Sequence, residues 1–127
     1  MDIYREAILD HYKHPRNFGS LDKPDAKVEE GNVTCGDRIV IEIKGKRVTG
    51  YELRVTDIRF SGEGCAISQA SASMLTEKVK GAKITTVMKL KTHDIIAMLG
   101  TALTPSRTKC ATLPLEVLTK AIWTIQK

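Results

Sequence analysis

From Arg38 to Phe60 the sequence carries a strand pattern, whereas on either side of this block apolar residues recur at helical spacing. Ile39, Ile41 and Ile43 alternate with Val40 and Glu42, the period of a strand with two different faces. A second run, Glu52 to Phe60, is rich in β-branched residues. Either Lys44-Gly45-Lys46 or Thr49-Gly50 supplies the turn. Short turns join antiparallel neighbours, so the block predicts two or three antiparallel strands, closed by Ser61-Gly62-Glu63-Gly64. Upstream, Tyr4, Ala7, Ile8, His11 and Tyr12 mark a helix over 2–13, ended by His14-Pro15 and Asn17-Phe18-Gly19. Residues 16–34 read as a loop with one short extended piece near Val28. Downstream, Cys65 opens a helix with Ile67, Ala70, Met74, Leu75 and Val79 on its apolar face, stopped by Gly81. Short helices follow at 84–90 and 93–99, then a loop from Gly100 to Lys109. The last helix carries Pro114 in its first turn and Leu115, Leu118, Ile122 and Ile125 on one face. Strands segregated from helices predict an α+β fold with a small antiparallel sheet of about three strands.

The 127 residues suit a single domain, 1–127, able to bury a core without disulfide staples. Aromatic residues are only 5%, so that core is aliphatic, and a stacking platform for single-stranded nucleic acid is not expected. The net charge of +5 fits a solvated basic surface or an acidic protein partner, and nucleic acid is not the expected ligand. No apolar run approaches the roughly 18 residues of a membrane helix. The first ten residues lack a basic-then-apolar pattern, so the expected compartment is the cytoplasm, where thiols stay reduced.

The three cysteines, Cys35, Cys65 and Cys110, all fall at expected element boundaries rather than within apolar faces. An odd count in a reducing compartment points to metal binding or catalysis rather than bridging. Thiolate is the ligand and the nucleophile, and it is favoured at helix N-termini and beside cations. Cys65 stands at a helix start, and Cys110 follows Lys109 with Arg107 three positions back. Cys35 and Asp37 are two apart at a strand entry, which puts them on one face, with Gly36 between them. Three thiolates and one carboxylate make a four-coordinate set suited to zinc, or to an iron–sulfur cluster with one oxygen-bearing position. No CxxC pair is present, so the three can meet only through the fold.

The remaining polar candidates have simpler roles. His11 and His14 lie near a helix end, and His93 with Asp94 fits a helix cap. Met74, Met88 and Met98 are expected in the core. Ser68, Ser71 and Ser73 lack a nearby His/Asp pattern for nucleophilic chemistry and fit close packing under the cysteine site.

Four segments carry a wider resemblance. They are Tyr4 to Gly19, Asn32-Val33-Thr34-Cys35-Gly36-Asp37, Phe60 to Met74 with Gly62-Glu63-Gly64-Cys65-Ala66-Ile67-Ser68 at its head, and Ser106-Arg107-Thr108-Lys109-Cys110-Ala111-Thr112-Leu113. In this order they resemble the iron–sulfur cluster assembly scaffolds related to the N-terminal domain of NifU. The resemblance implies a small antiparallel sheet covered by helices on one side. It also implies a carrier that accepts persulfide sulfur from a pyridoxal-phosphate cysteine desulfurase, builds a transient [2Fe-2S] or [4Fe-4S] cluster, and passes it to recipient apoproteins. Carried over by motif, Cys35, Cys65 and Cys110 are the ligands, and Asp37 is the labile ligand that aids release.

Two positions separate the branches of that family. IscU-type members have a histidine immediately before the third cysteine, where this chain has Lys109, and they carry a Leu-Pro-Pro-Val-Lys motif that 104–107 lacks. These features resemble the SufU branch, which holds zinc through three cysteines and an aspartate and acts as a sulfur acceptor; Arg107 matches that branch's arginine three before the last cysteine. SufU-type chains carry an insertion between the second and third cysteines, whereas the spacing from Cys65 to Cys110 is short, as in IscU. Three readings stay open: a cluster scaffold, a zinc-containing sulfurtransferase with Cys110 on a mobile loop as acceptor beside Arg107 and Lys109, and a structural zinc domain with a basic docking surface. The chain is expected to act as a monomer or weak homo-oligomer.

Overall fold

The structure, a computed structural model, describes residues 3–32, 36–48 and 52–126. The elements run α1 (Ile3–Lys13), β1 (Ala26–Asn32), β2 (Asp37–Val48), β3 (Glu52–Glu63), α2 (Ala66–Val79), α3 (Ile84–Met88), α4 (Thr92–Leu99) and α5 (Pro105–Gln126). The three strands form one antiparallel sheet in the order β1-β2-β3, with Val28 opposite Ile41 and Ile41 opposite Phe60. The expected α+β class and strand number are found.

The alternation in β2 puts Ile39, Ile41 and Ile43 on the helix-covered face, where none is exposed. They pack with Val55, Ile58 and Phe60 of β3, Leu75 and Val79 of α2, and Val117, Leu118 and Ile122 of α5 in one aliphatic core. Each such side chain contributes about 1.5–3 kcal/mol by leaving water. α5 packs over β1 and β2, and α2 over β3.

The other face is covered differently. Residues 17–19 pair with the β3 edge through the Gly19 N–H to the Phe60 carbonyl (2.8 Å) and the Phe60 N–H to the Asn17 carbonyl (2.9 Å). By Asp25 the chain has reached the far side of β2, where its N–H donates to the Ile43 carbonyl. It therefore crosses the outer face, and on the way the Leu21 N–H meets the buried Glu42 carboxylate at 3.3 Å.

Several sequence expectations need correction. The 16–34 loop contains a full seven-residue strand, β1, because its pairing with β2 stabilises residues whose own pattern is weakly apolar. Lys44-Gly45-Lys46 is not the turn: β2 runs on to Val48 with an irregularity between Lys44 and Gly45, and Thr49-Gly50 lies outside the described residues. Ser61 to Glu63 still belong to β3, so only Gly64 leaves the sheet. The last helix starts at Pro105, not Pro114, and takes in Arg107, Lys109 and Cys110. Two prolines suit a first helical turn, and Thr104 decides between them: its Oγ1 accepts the Arg107 N–H at 3.4 Å. Met88 is exposed, while Met74 and Met98 pack against the core. In α1, Ile8 is buried and His11 half-buried, but Ala7 and Tyr12 stay exposed.

Candidate metal centre

The C-terminal end of β3, the start of α2 and the second turn of α5 converge with the first residue of β2. Gly62 makes this possible. Its φ is +121°, and a Cβ there would lie 2.0 Å from the Arg38 carbonyl oxygen, so only glycine fits so close to β2. Gly64 serves the site itself. A Cβ on it would stand 2.4 Å from Asp37 Oδ1 and 2.6 Å from Ser68 Oγ.

Asp37 occupies the room that Gly64 leaves. The residue is 2% exposed, and Oδ1 accepts the Cys65 N–H at 2.9 Å. A carboxylate is thereby held at the N-terminus of α2, where the helix dipole favours negative charge. Cys65 is the N-cap residue of that helix, as expected. It makes no side-chain cap bond, which leaves its sulfur directed elsewhere: Sγ is 4.0 Å from Asp37 Oδ2 and 3.8 Å from Ser68 Oγ. Ser68 in turn donates to the Cys65 carbonyl at 3.0 Å. Ser71 donates to the Ala111 carbonyl at 2.6 Å, joining α2 to α5 one residue after Cys110. Ser68 and Ser71 thus lie beside the site, whereas Ser73 instead meets His11 and the Arg16 N–H at the end of α1.

Cys110 is buried at 3% exposure, while Cys65 is half-buried. Its place within α5 corrects the expectation of a boundary or mobile-loop cysteine. Pro114, four residues on, has no N–H to return to the Cys110 carbonyl. One ligand atom from each of Asp37, Cys65 and Cys110 lies within 4.8 Å of the others. Tetrahedral zinc with ligands at about 2.0–2.3 Å has ligand–ligand edges of about 3.3–3.8 Å, so the trio fits a metal after closing in by about an ångström. Two soft thiols and one hard carboxylate suit zinc or iron, and a fourth donor completes four-coordination. Cys35 lies outside the described residues, two positions before Asp37.

Arg107 and Lys109 lie on the exposed side of α5. Arg107 lines an open groove of about 440 Å³ with Arg5, Leu9, Ile67 and Leu103, next to the candidate centre. His11 and His93 are not drawn into the cluster. His93 is exposed beside Asp94, whose carboxylate accepts the Lys91 N–H and caps α4. His11 has contacts that its sequence position did not reveal: Nδ1 sits 2.7 Å from Ser73 Oγ, and Nε2 3.6 Å from Glu77. Its helical spacing with Ile8 was the available signal.

Residues 3–127 match the NifU-like N-terminal domain. The chain is 39% identical to the zinc-dependent sulfurtransferase SufU of Bacillus subtilis, over 94% of this chain and 89% of that one. It is 40% identical to the iron–sulfur cluster assembly scaffold protein IscU of Aquifex aeolicus, over 94% and 73%. The SufU alignment spans 137 positions, more than the 127 residues here, so that relative holds residues without a counterpart in this chain. Among solved structures, the N-terminal NifU-like protein of Brucella abortus shares the fold at a TM-score of 0.76 and 22% identity, over 98% of this chain and 94% of that one. A candidate SUF-system scaffold from Fervidobacterium islandicum AW-1 matches at 0.73 and 26% identity, over 92% and 94%. The match over residues 3–127, with 39–40% identity to relatives aligned over 94% of this chain, places the chain in the NifU-like N-terminal domain family.

Proposed function

We propose that this chain is a scaffold for iron–sulfur cluster assembly, with iron and sulfide as its cargo. The observation that carries the reading is the convergence of Asp37, Cys65 and Cys110 within 4.8 Å. Cys35 is the fourth ligand in this proposal. Asp37 is the ligand that yields, because a carboxylate is a harder and weaker partner for iron in a thiolate set than a fourth cysteine. Sulfur arrives as the persulfide of a cysteine desulfurase. A scaffold thiolate attacks the outer sulfur, the S–S bond breaks, and the desulfurase leaves as thiolate while the scaffold holds the new persulfide. Cys110 is the proposed acceptor. Its burial ties the attack to movement of the first turns of α5, and in this proposal the exposed Arg107 and Lys109 contact the docked desulfurase. Recipient apoproteins take the finished [2Fe-2S] or [4Fe-4S] unit.

The second reading is a zinc-dependent sulfurtransferase that uses the same four residues to hold zinc and relays the persulfide without building a cluster. Its support is the likeness to SufU, with Lys109 in place of a ligating histidine. The experiment is anaerobic reconstitution with ferrous iron, cysteine and a desulfurase, followed by metal and acid-labile sulfide analysis per chain. Iron with matching sulfide, lost in Cys35→Ser, is the expected result. Zinc retained without sulfide, with persulfide found on Cys110 by mass spectrometry, would replace the scaffold reading by the second. In Asp37→Ala the cluster is expected to persist longer during transfer to an apoprotein, and faster loss would remove the release role from Asp37.

A further inference from the structure

The two edges of the sheet differ. The β3 edge is covered, by residues 17–19 at Phe60 and by Lys83, which bridges to Arg54. β1 is the terminal strand on the other side, and among the described residues no further strand pairs with it. An exposed edge of seven residues is a template for another strand. Its charges decide which strand suits it.

Along β1, Lys27 and Glu29 are exposed on one face and flank Val28, which is half-buried on the other. If a second copy of β1 runs antiparallel with Val28 opposite Val28, the two-fold axis sets Lys27 of each copy opposite Glu29 of the other. Opposite charges at directly facing positions stabilise an antiparallel pair, and like charges destabilise it. The self-complementary order K-V-E about a central apolar residue is what an isologous contact requires.

A second observation lies on α5. Trp123 is the most exposed large apolar side chain among the described residues, at 59%. It is three residues from Lys120, so the two share a helix face. Lys120 forms an ion pair with Glu30 of β1, which shows that this face of α5 borders the open edge. A large indole left in water beside an unpaired strand is an apolar flank for whatever adds to that strand.

We propose that two copies of this chain associate through β1, antiparallel about Val28, into a continuous six-stranded sheet flanked by the two Trp123 side chains. The contact is independent of the metal site and of the reading given for it.

The test is a charge exchange read by sedimentation equilibrium on the full chain, from low micromolar to near-millimolar concentration. Lys27→Glu alone sets Glu against Glu, and Glu29→Lys, which also gives up the Glu29–Arg38 pair of its own chain, sets Lys against Lys, twice per dimer in each case. Each variant is expected to raise the dimer dissociation constant by about tenfold or more. An equal mixture of the two variants restores both opposite-charge pairs, so it is expected to form heterodimers that neither variant forms alone. The mixture also controls for folding, because a variant that merely unfolds cannot be rescued by the other. Trp123→Ala is expected to weaken the wild-type dimer. A wild-type chain that is monomeric throughout would overturn the proposal. So would a dimer indifferent to both charge changes, or two monomeric variants that stay monomeric when mixed.

Discussion

At the scale of single residues the centre depends on what is missing as much as on what is present. Gly62 and Gly64 stand two apart and fail differently when given a side chain. Gly62→Ala meets the Arg38 backbone at 2.0 Å with a φ of +121°, and neither can be relieved without moving β2. A loss of about 2–4 kcal/mol in unfolding free energy is expected, measured by urea denaturation of the metal-free chain. Gly64→Ala strikes the Asp37 carboxylate and the Ser68 hydroxyl, which are side chains and can swing away. Its expected effect falls on zinc instead: affinity drops by about 10–100-fold in a chelator competition, with a smaller change in stability. Equal stability losses in the two variants would show that Gly64 is a backbone requirement and not a ligand-positioning one. The ligand types, cysteine and aspartate, were legible in the sequence; which atoms of Asp37 face the Cys65 N–H and sulfur was not, because that contact spans 28 residues.

Among the elements, α1 and the start of α5 are the ones whose attachment can be isolated. α1 packs chiefly on α2 and buries Ile8. Near its end the Arg16 N–H donates to Ser73 Oγ at 2.8 Å, while the same oxygen lies 2.7 Å from His11 Nδ1. Burial holds the His11 imidazole below its ordinary pKa and the Arg16 cation adds to this, against the opposing pull of Glu77 and Asp10. The folded state therefore resists protonation that the unfolded chain accepts from about pH 6.5 downward. Stability attributable to His11 is expected to be complete above that pH and to decline below it, toward the lower folded value. Denaturant midpoints of the metal-free chain at pH 7.5 and 5.5 are expected to differ by less in His11→Gln than in wild type. An unchanged difference would mean that other groups carry the pH dependence. For α5, Thr104→Ala removes the oxygen that accepts the Arg107 N–H and is expected to cost about 1 kcal/mol. A loss near zero would show that Pro105 alone is enough to start the helix.

At the scale of the whole molecule, the core and the candidate metal centre are separable. The isoleucines of β2 are closed off by α2 and α5 through contacts that do not pass through the cysteines. Cys65→Ser is therefore expected to keep its far-UV circular dichroism and a cooperative melt while losing metal. Loss of that melt would favour the structural zinc reading, in which metal binding is folding free energy. With zinc present, the wild-type melt is expected to shift upward with free zinc concentration, and chelation should reverse the shift.

Secondary structure was legible in the chain wherever the hydrophobic period was strong. The alternation at 39–43, the helical spacing after Cys65 and the face from Leu115 to Ile122 are local patterns; burial of one face follows only for the last, since both faces of 39–43 are covered and 68–73 are buried all round α2. It also marked cysteines and an aspartate as ligand chemistry, since thiolate and carboxylate carry that property in any fold. Tertiary structure alone decided the rest. β1 exists because β2 offers it a register, not because its own residues demand a strand. Cys110 lies in a helix because Thr104 and Pro105, rather than Pro114, start it. Asp37, Cys65 and Cys110 meet because the start of β2, the turn after β3 and the first turns of α5 converge. Such convergence over 28 and 45 positions depends on strand order and on the packing of α5, and those are properties of the assembled core rather than of any segment.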